Sequence, residues 1–279
     1  MDLVDKIAAM QEMSAGWRSA GDIVAVVPTM GFLHDGHTAL IRRAREEADR
    51  VVVTIFVNPT QFGPEEDFDR YPRDLDNDLE RCKEASVDTI FMPTVDEMYP
   101  EGSSTWVREE SLSRSLCGVR RPDHFKGVTT VGCKLFHAVL PDVAVFGDKD
   151  FQQARVISRM VRDLNFPVRV VTIPTVRESD GLAMSSRNRY LSPEQRRAAL
   201  SISRGLTLAR EACESGTRAA KALLAIVTDE IEGDNGEIEY AECRDADNLE
   251  PVESVGTSAI IAVAVRFGDT RLIDNVRLG

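Results

Sequence analysis

The sequence predicts an α/β fold, an open parallel sheet with crossover helices, followed by a smaller α+β domain. Two observations predict it. Through residue 173, short apolar runs rich in β-branched residues alternate with helical patterns. Such alternation implies parallel strands joined by helices. Beyond a polar junction, Arg177-Glu178-Ser179-Asp180-Gly181, the order changes to two long helical stretches and then strands.

In chain order, residues 1–13 carry three acidic residues and read as an amphipathic helix rather than a signal peptide. Strands are expected at 23–27, 51–57, 89–92, 144–146 and 168–173, and helices at 38–48, 74–85, 129–139 and 151–164. Ser192-Pro193-Glu194 opens a helix, with Ser as N-cap, Pro at the first position and Glu in the first turn. Helices are expected over 193–214 and 218–232, then strands over 238–243, 259–267 and 271–275. The last two strands form a hairpin with Gly268-Asp269 at its tip.

Composition narrows the function. A chain of 279 residues, 43% of them hydrophobic, fills a sizeable core and is not a disordered polymer. A net charge of -12 argues against gripping nucleic-acid backbone but leaves a nucleotide substrate open. Cys82, Cys117, Cys133, Cys213 and Cys243 are odd in number and form no C-x-x-C pair. That is neither a disulfide framework nor a zinc knuckle, so a reducing compartment is expected. No apolar run approaches the ~20 residues of a membrane span. The expectation is a cytoplasmic protein with no nucleic-acid and no membrane partner.

Residues with chemistry follow the strands, where ligands of open α/β sheets bind. After the first strand comes Pro28-Thr29-Met30-Gly31-Phe32-Leu33-His34-Asp35-Gly36-His37. It places two imidazoles three positions apart where a strand hands over to a helix. Such a site suits an anion, because helix-start N–H groups lack partners and Gly36 permits close approach. The competing reading is a surface loop holding two of the four histidines. After the second strand, Asn58-Pro59-Thr60-Gln61-Phe62-Gly63 offers uncharged donors and acceptors, or simply turn chemistry. The run Glu65-Glu66-Asp67-Phe68-Asp69 reads as a solvated loop rather than a metal site. Gly147-Asp148-Lys149-Asp150-Phe151-Gln152-Gln153 combines a tight turn, a phosphate partner in Lys149 and, in Asp150, a carboxylate able to hold a divalent cation through water. It reads equally as a helix N-cap. Met184-Ser185-Ser186-Arg187-Asn188-Arg189 reads as a polar linker or a mobile phosphate clamp. His137 reads as packing, and His124 lies in a loop entering a helix. No P-loop and no G-x-G-x-x-G is present.

Together these segments resemble the pantothenate synthetase family, the AMP-forming pantoate–β-alanine ligases of the nucleotidylyltransferase superfamily. The family pattern P-T-M-G-A-L-H-E-G-H is matched from Pro28 to His37, with Phe32 and Asp35 as departures. F-V-N-P-x-Q-F is matched at 56–62, H-F-x-G-V at 124–128, G-E-K-D-x-Q-Q at 147–153 with Asp148 for Glu, M-S-S-R-N at 184–188, and T-R-L-I-D-N at 270–275. Six segments in family order cover essentially the whole chain.

The resemblance implies a Rossmann-like domain over 1–176 that binds nucleotide and pantoate, and a C-terminal lid domain over 177–279 carrying the Met-Ser-Ser-Arg loop. It implies a homodimer. It implies that ATP and pantoate give pantoyl adenylate and pyrophosphate, and that the β-alanine amine then displaces AMP to give pantothenate, a coenzyme A precursor. Mg2+ would accompany the ATP phosphates. Met30, Gly31, Phe32, Leu33, His34, Asp35, Gly36 and His37 would line the ATP site, with His34 and His37 on the phosphates and His37 the proton donor. Gly147, Asp148, Lys149 and Asp150 would also contact ATP, Lys149 at the phosphates and Asp150 near the ribose or the metal. Val176 would bind adenine through its backbone, and Met184, Ser185, Ser186 and Arg187 would form the mobile loop on the phosphates. His37, His34, Lys149 and Arg187 would be the catalytic set. Gln61 and Gln153 would hold pantoate, and Gln61 would also face β-alanine. A related adenylyltransferase releasing a dinucleotide is the second enzymatic reading; a silent nucleotide-binding protein is the non-enzymatic one. Intact histidines, Lys149 and Arg187 stand against the latter.

Overall fold

The apolar runs become parallel strands because each crossover helix covers a face of them. The computed structural model describes residues 1–64 and 66–279. Along the chain lie β1 (Asp2–Val4), α1 (Ile7–Ser19), β2 (Val24–Thr29), α2 (Asp35–Glu47), β3 (Arg50–Ile55), α3 (Leu75–Glu84), β4 (Thr89–Phe91) and α4 (Val95–Met98). Then come α5 (Cys117–Arg120), α6 (His124–Val139), β5 (Val143–Gly147), α7 (Phe151–Asp163), β6 (Arg169–Ile173), α8 (Pro193–Glu214), α9 (Ala220–Gly233), β7 (Glu237–Asp245), β8 (Ala259–Phe267) and β9 (Thr270–Leu278). The chain divides into two compact units. The first comprises Met1–Ser113, Arg120–Asp148 and Gln153–Pro174; the second comprises Arg114–Val119, Lys149–Gln152 and Thr175–Gly279.

The first unit is built on a parallel sheet in the order β1-β4-β3-β2-β5-β6. From β2 the chain steps outward through β3 and β4 on one side, and through β5 and β6 on the other. The order therefore reverses between β2 and β5, and ligands of such sheets bind beyond the strand ends at that point. The His34 loop leaves β2, Gly147 ends β5, and the Gln61 turn leaves β3. Val24, Ala25, Val26 and Val27 of β2 are fully buried, which is why this stretch is a continuous apolar run rather than an alternating one. Ile41 and Ala44 of α2 and Cys82 of α3 pack on one face with Val51, Val53, Ile90 and Val145. Each fully buried Val or Ile contributes about 1.5–3 kcal/mol.

In the second unit α8 and α9 cover the antiparallel sheet β7-β8-β9. Ser192 caps α8 by accepting from Gln195 N at 3.2 Å, while the Gln195 side chain accepts from Ser192 N at 2.9 Å. The expected hairpin is present: β8 and β9 are joined through Gly268 and Asp269, with Gly268 at φ +60°.

Three expectations need correction. Residues 1–13 are not one helix: Asp2–Val4 pairs in parallel with β4 at the sheet edge before α1 begins at Ile7. That pairing partner lies some 87 residues away along the chain (Asp2↔Thr89), so no local pattern encodes it. Helix α6 begins at His124 rather than 129, with Gly127 inside it and packed closely against the backbone of Thr60 and Gln61. The acidic run at 65–69 is not simply solvated: Glu66 forms a two-pronged ion pair with Arg121, while Glu65 lies outside the described residues.

Candidate active site

The loop from Met30 to His34 turns through two left-handed residues, Gly31 at φ +79° and Phe32 at φ +52°. Gly31 is required there: a Cβ would lie 2.9 Å from Asp78 Oδ2 and 3.0 Å from Ile55. Asp78 holds the turn, accepting from Phe32 N at 2.9 Å and Leu33 N at 2.6 Å. It is 2% exposed, and burial pushes its carboxyl above the ordinary value despite those two amides.

Helix α2 starts with a capping pair made of histidines. His34 Nδ1 accepts from Gly36 N, and His37 Nδ1 accepts from His34 N, both at 3.2 Å. A ring nitrogen that accepts from an amide carries no proton, so in both neutral rings the proton sits on Nε2. The rings lie 4.1 Å apart at a tilt of 36° and are both partly exposed. Local sequence thus fixes two imidazole N–H donors at a helix N-terminus, where negative charge is already favoured. Asp35 is turned to solvent and pairs with Arg81 at 2.8 Å.

Gln61 closes a short 3-10 turn, Pro59–Gln61. Its side chain accepts from Asn58 Nδ2 at 3.1 Å and donates to Met30 Sδ at 3.2 Å. The structure thus brings Gln61 and Met30 together. Asn58 is a buried hub: its Oδ1 accepts from Thr60 N, Thr60 Oγ1 and Tyr99 OH, and its Nδ2 also donates to Gly127 O. Gln153 is partly exposed in the first turn of α7, whereas neighbouring Gln152 is buried and bonded to Cys117 N and Ser115 O. His137 is exposed and rests on the Phe166 ring at 5.3 Å, packing at the surface rather than in the core.

In the second unit, the 270–275 segment bonds to Lys149 and to Arg177, the neighbour of Val176. Asn275 Nδ2 donates to Lys149 O at 3.0 Å. Buried Asp274 takes Arg177 in a two-pronged pair at 2.6 and 3.1 Å. Arg177 lies beside Val176, whose carbonyl accepts from Met184 N at 2.9 Å. Ser185 caps the turn Ser186–Tyr190 by accepting from Arg187 N at 3.3 Å. Ser186 is buried, Arg187 partly exposed and Asp150 exposed. Asn188 donates to Glu178 Oε1 and Ala183 O, closing the loop on itself. Gly147 and Asp148 are partly exposed at the end of β5.

Sequence reasoning passed over Asp78 and Tyr99, left Asn58 between a polar contact and turn chemistry, and took Glu66 for solvated surface. Asp78 had one signal: it shares the i, i+3, i+7 face of α3 with Leu75 and Cys82, a core-facing position for a carboxylate. Tyr99 had none, since its partners Asn58 and Thr60 are distant in sequence.

Comparison with known proteins shows the family. The family model for pantoate-beta-alanine ligase matches residues 2–277. Pantothenate synthetase of Moorella thermoacetica is 53% identical over all of this chain and 99% of its own length. That of Pelotomaculum thermopropionicum is 55% identical over 94% of this chain and 93% of its own. The crystal structure of pantothenate synthetase from Thermus thermophilus superposes with a TM-score of 0.94 at 45% identity, covering 99% of both chains. The pantoate-beta-alanine ligase of Francisella tularensis, solved with beta-gamma ATP and beta-alanine, superposes with a TM-score of 0.84 at 30% identity over 99% of this chain and 97% of that one. This chain belongs to the pantoate–β-alanine ligase family.

Proposed function

We propose that this chain condenses pantoate with β-alanine at the expense of ATP, through pantoyl adenylate, to give pantothenate, AMP and pyrophosphate. The observation that carries the reading is the histidine pair opening α2, whose Nδ1 atoms accept from backbone amides, which places the ring proton of each neutral imidazole on Nε2 at a helix N-terminus. A carboxylate oxygen of pantoate attacks the α-phosphorus, the bond to the β-phosphate breaks, and pyrophosphate leaves. Charge grows on the phosphoryl oxygens as phosphorus becomes five-coordinate, and donors set beforehand stabilise it without reorganising. His37 supplies the proton-donating contact and His34 the second. The β-alanine amine then attacks the acyl carbon, loses a proton, and expels AMP.

Gln61 and Gln153 orient pantoate, and Gln61 also meets β-alanine. This is catalysis by positioning, since the carboxylate is already ionised at neutral pH. Lys149, Ser185, Ser186 and Arg187 add phosphate contacts, Val176 binds adenine through its backbone, and Met30, Gly31, Phe32, Leu33, Asp35, Gly36, Gly147, Asp148 and Met184 complete the nucleotide contacts. Among the described residues no three His, Cys, Asp or Glu side chains converge. A Mg2+ would arrive with the ATP phosphates and keep several waters, and exposed Asp150 is the carboxylate that would touch its shell. Bound with ATP, such a cation would offset the phosphate charge. A homodimer in the cytoplasm completes the reading; all five cysteines are free, and no described helix is long and apolar enough to cross a membrane.

The test is substrate omission combined with His37→Ala. ATP and pantoate alone release pyrophosphate, and AMP appears only once β-alanine is added. His37→Ala lowers the rate of pyrophosphate release by roughly 10²–10⁴-fold, the range for a lost acid or oxyanion donor, with a much smaller change in ATP affinity. AMP formation independent of pantoate contradicts the ligase reading. A rate within severalfold of the parent contradicts the role of His37.

A further inference from the structure

The carbonyl of Gln61 is held by two side chains from outside its own turn. His124 Nδ1 lies 2.9 Å from Gln61 O, and Arg121 Nη2 donates to the same oxygen at 3.2 Å. Arg121 in turn grips Glu66 with Nε and Nη2, each at 2.5 Å, and places Nη1 3.1 Å from His124 Nε2. The tautomer of His124 follows. A guanidinium only donates, so Nε2 must accept; a carbonyl only accepts, so Nδ1 must carry the proton. The neutral ring is therefore polarised between a cation and a carbonyl, with its N–H aimed at Gln61. Glu66 offsets the Arg121 charge and also accepts from Gly63 N at 3.1 Å, tying the chain beyond Gln61 into the same network. Burial alone would raise the Glu66 carboxyl, but the hydrogen bonds and charge of Arg121 outweigh it and hold it below the ordinary value.

The same turn is pressed from the other side. A Cβ on Gly127 would lie 2.3 Å from Thr60 O and 2.7 Å from Gln61 Cα, so α6 meets the turn backbone to backbone. With Asn58 and Met30 holding the side-chain amide, Gln61 has its main chain and its side chain fixed by separate groups.

We propose that His124 and Arg121, braced by Glu66, are positioning residues that set the orientation of the Gln61 amide for pantoate. They touch no reacting atom; they act through Gln61. The inference rests on the pantoate role proposed above for Gln61.

Geometry supplies a selective test. An Asn side chain places its amide near the Nδ1 position of His, whereas Gln reaches the Nε2 position. His124→Asn keeps a donor on Gln61 O, so its pantoate KM stays within about twofold of the parent. His124→Gln and Arg121→Lys lose the bond or the fork and raise pantoate KM about tenfold, with ATP KM within twofold. Gln61→Ala, measured alongside, raises pantoate KM at least as far. In the double variant Gln61→Ala with His124→Gln, the second change adds nothing, because residues acting as one unit are not additive. Additive effects, an equal rise in ATP KM, or indistinguishable Asn and Gln variants would overturn the positioning role while leaving Gln61 a pantoate residue. A Gln61→Ala enzyme with unchanged pantoate KM would overturn the pantoate reading itself, and the positioning role with it.

Discussion

At Asp78 a buried carboxylate holds two consecutive amides of a turn whose backbone is left-handed at Gly31 and Phe32. Single residues of this kind decide whether the His34–His37 pair points where it must. Replacing Asp78 by Asn puts an NH2 group against one of those amides. The variant should lose about 1–3 kcal/mol of stability, the cost of a buried donor left unsatisfied. It should also release pyrophosphate more slowly, because the donors are no longer set in advance; chemical denaturation and a single-turnover assay check the two effects. A loss of stability with unaltered pyrophosphate release would separate Asp78 from the site. Glu66 makes a second prediction at this scale. Its folded pKa is lowered from 4.5, so its ion pair contributes stability above that value and loses it as pH falls through the folded pKa. The parent should therefore melt above Glu66→Gln at pH 7, and the gap should close as pH drops below 4.5.

At the scale of elements, the helix α6 and the turn Pro59–Gln61 meet so closely that only glycine fits at 127. Gly127→Ala should destabilise the protein by about 1–3 kcal/mol, as overpacking does, and raise pantoate KM more than ATP KM. Denaturation midpoints and steady-state kinetics measure both. How much was legible in the sequence follows the same divide between local and distant causes. Helix α8 and strand β8 run over the expected residues, because a Ser-Pro-x-Gln cap and a β-branched run are local signals. The first turn of α6 was not legible, because the close contact of Gly127 with the Pro59–Gln61 turn is made across the fold and leaves no local signal. β1 read as helix because its pairing with β4 is non-local. The His34–His37 spacing was visible at once, but the capping geometry that assigns both protons to Nε2 needed coordinates.

On the scale of the whole molecule, the sheet reverses its order between β2 and β5, the point at which open α/β sheets bind ligands. The loops leaving β2, β3 and β5 carry His34, His37, Gln61, Gly147 and Asp148, so the fold supplies convergence that no single segment has. The second unit spends its last strand on fixing backbone: Asn275 on Lys149, and Asp274 on Arg177 next to Val176. The C-terminal segment thus fixes the backbone at and beside residues proposed above to meet ATP. The central claim is that the pantoate carboxylate attacks the α-phosphorus of ATP. Pantoate labelled with 18O in its carboxylate tests it most directly, with the AMP and pyrophosphate products analysed by mass spectrometry. The account predicts one 18O in AMP and none in pyrophosphate. Unlabelled AMP, or label in pyrophosphate or inorganic phosphate, would contradict it.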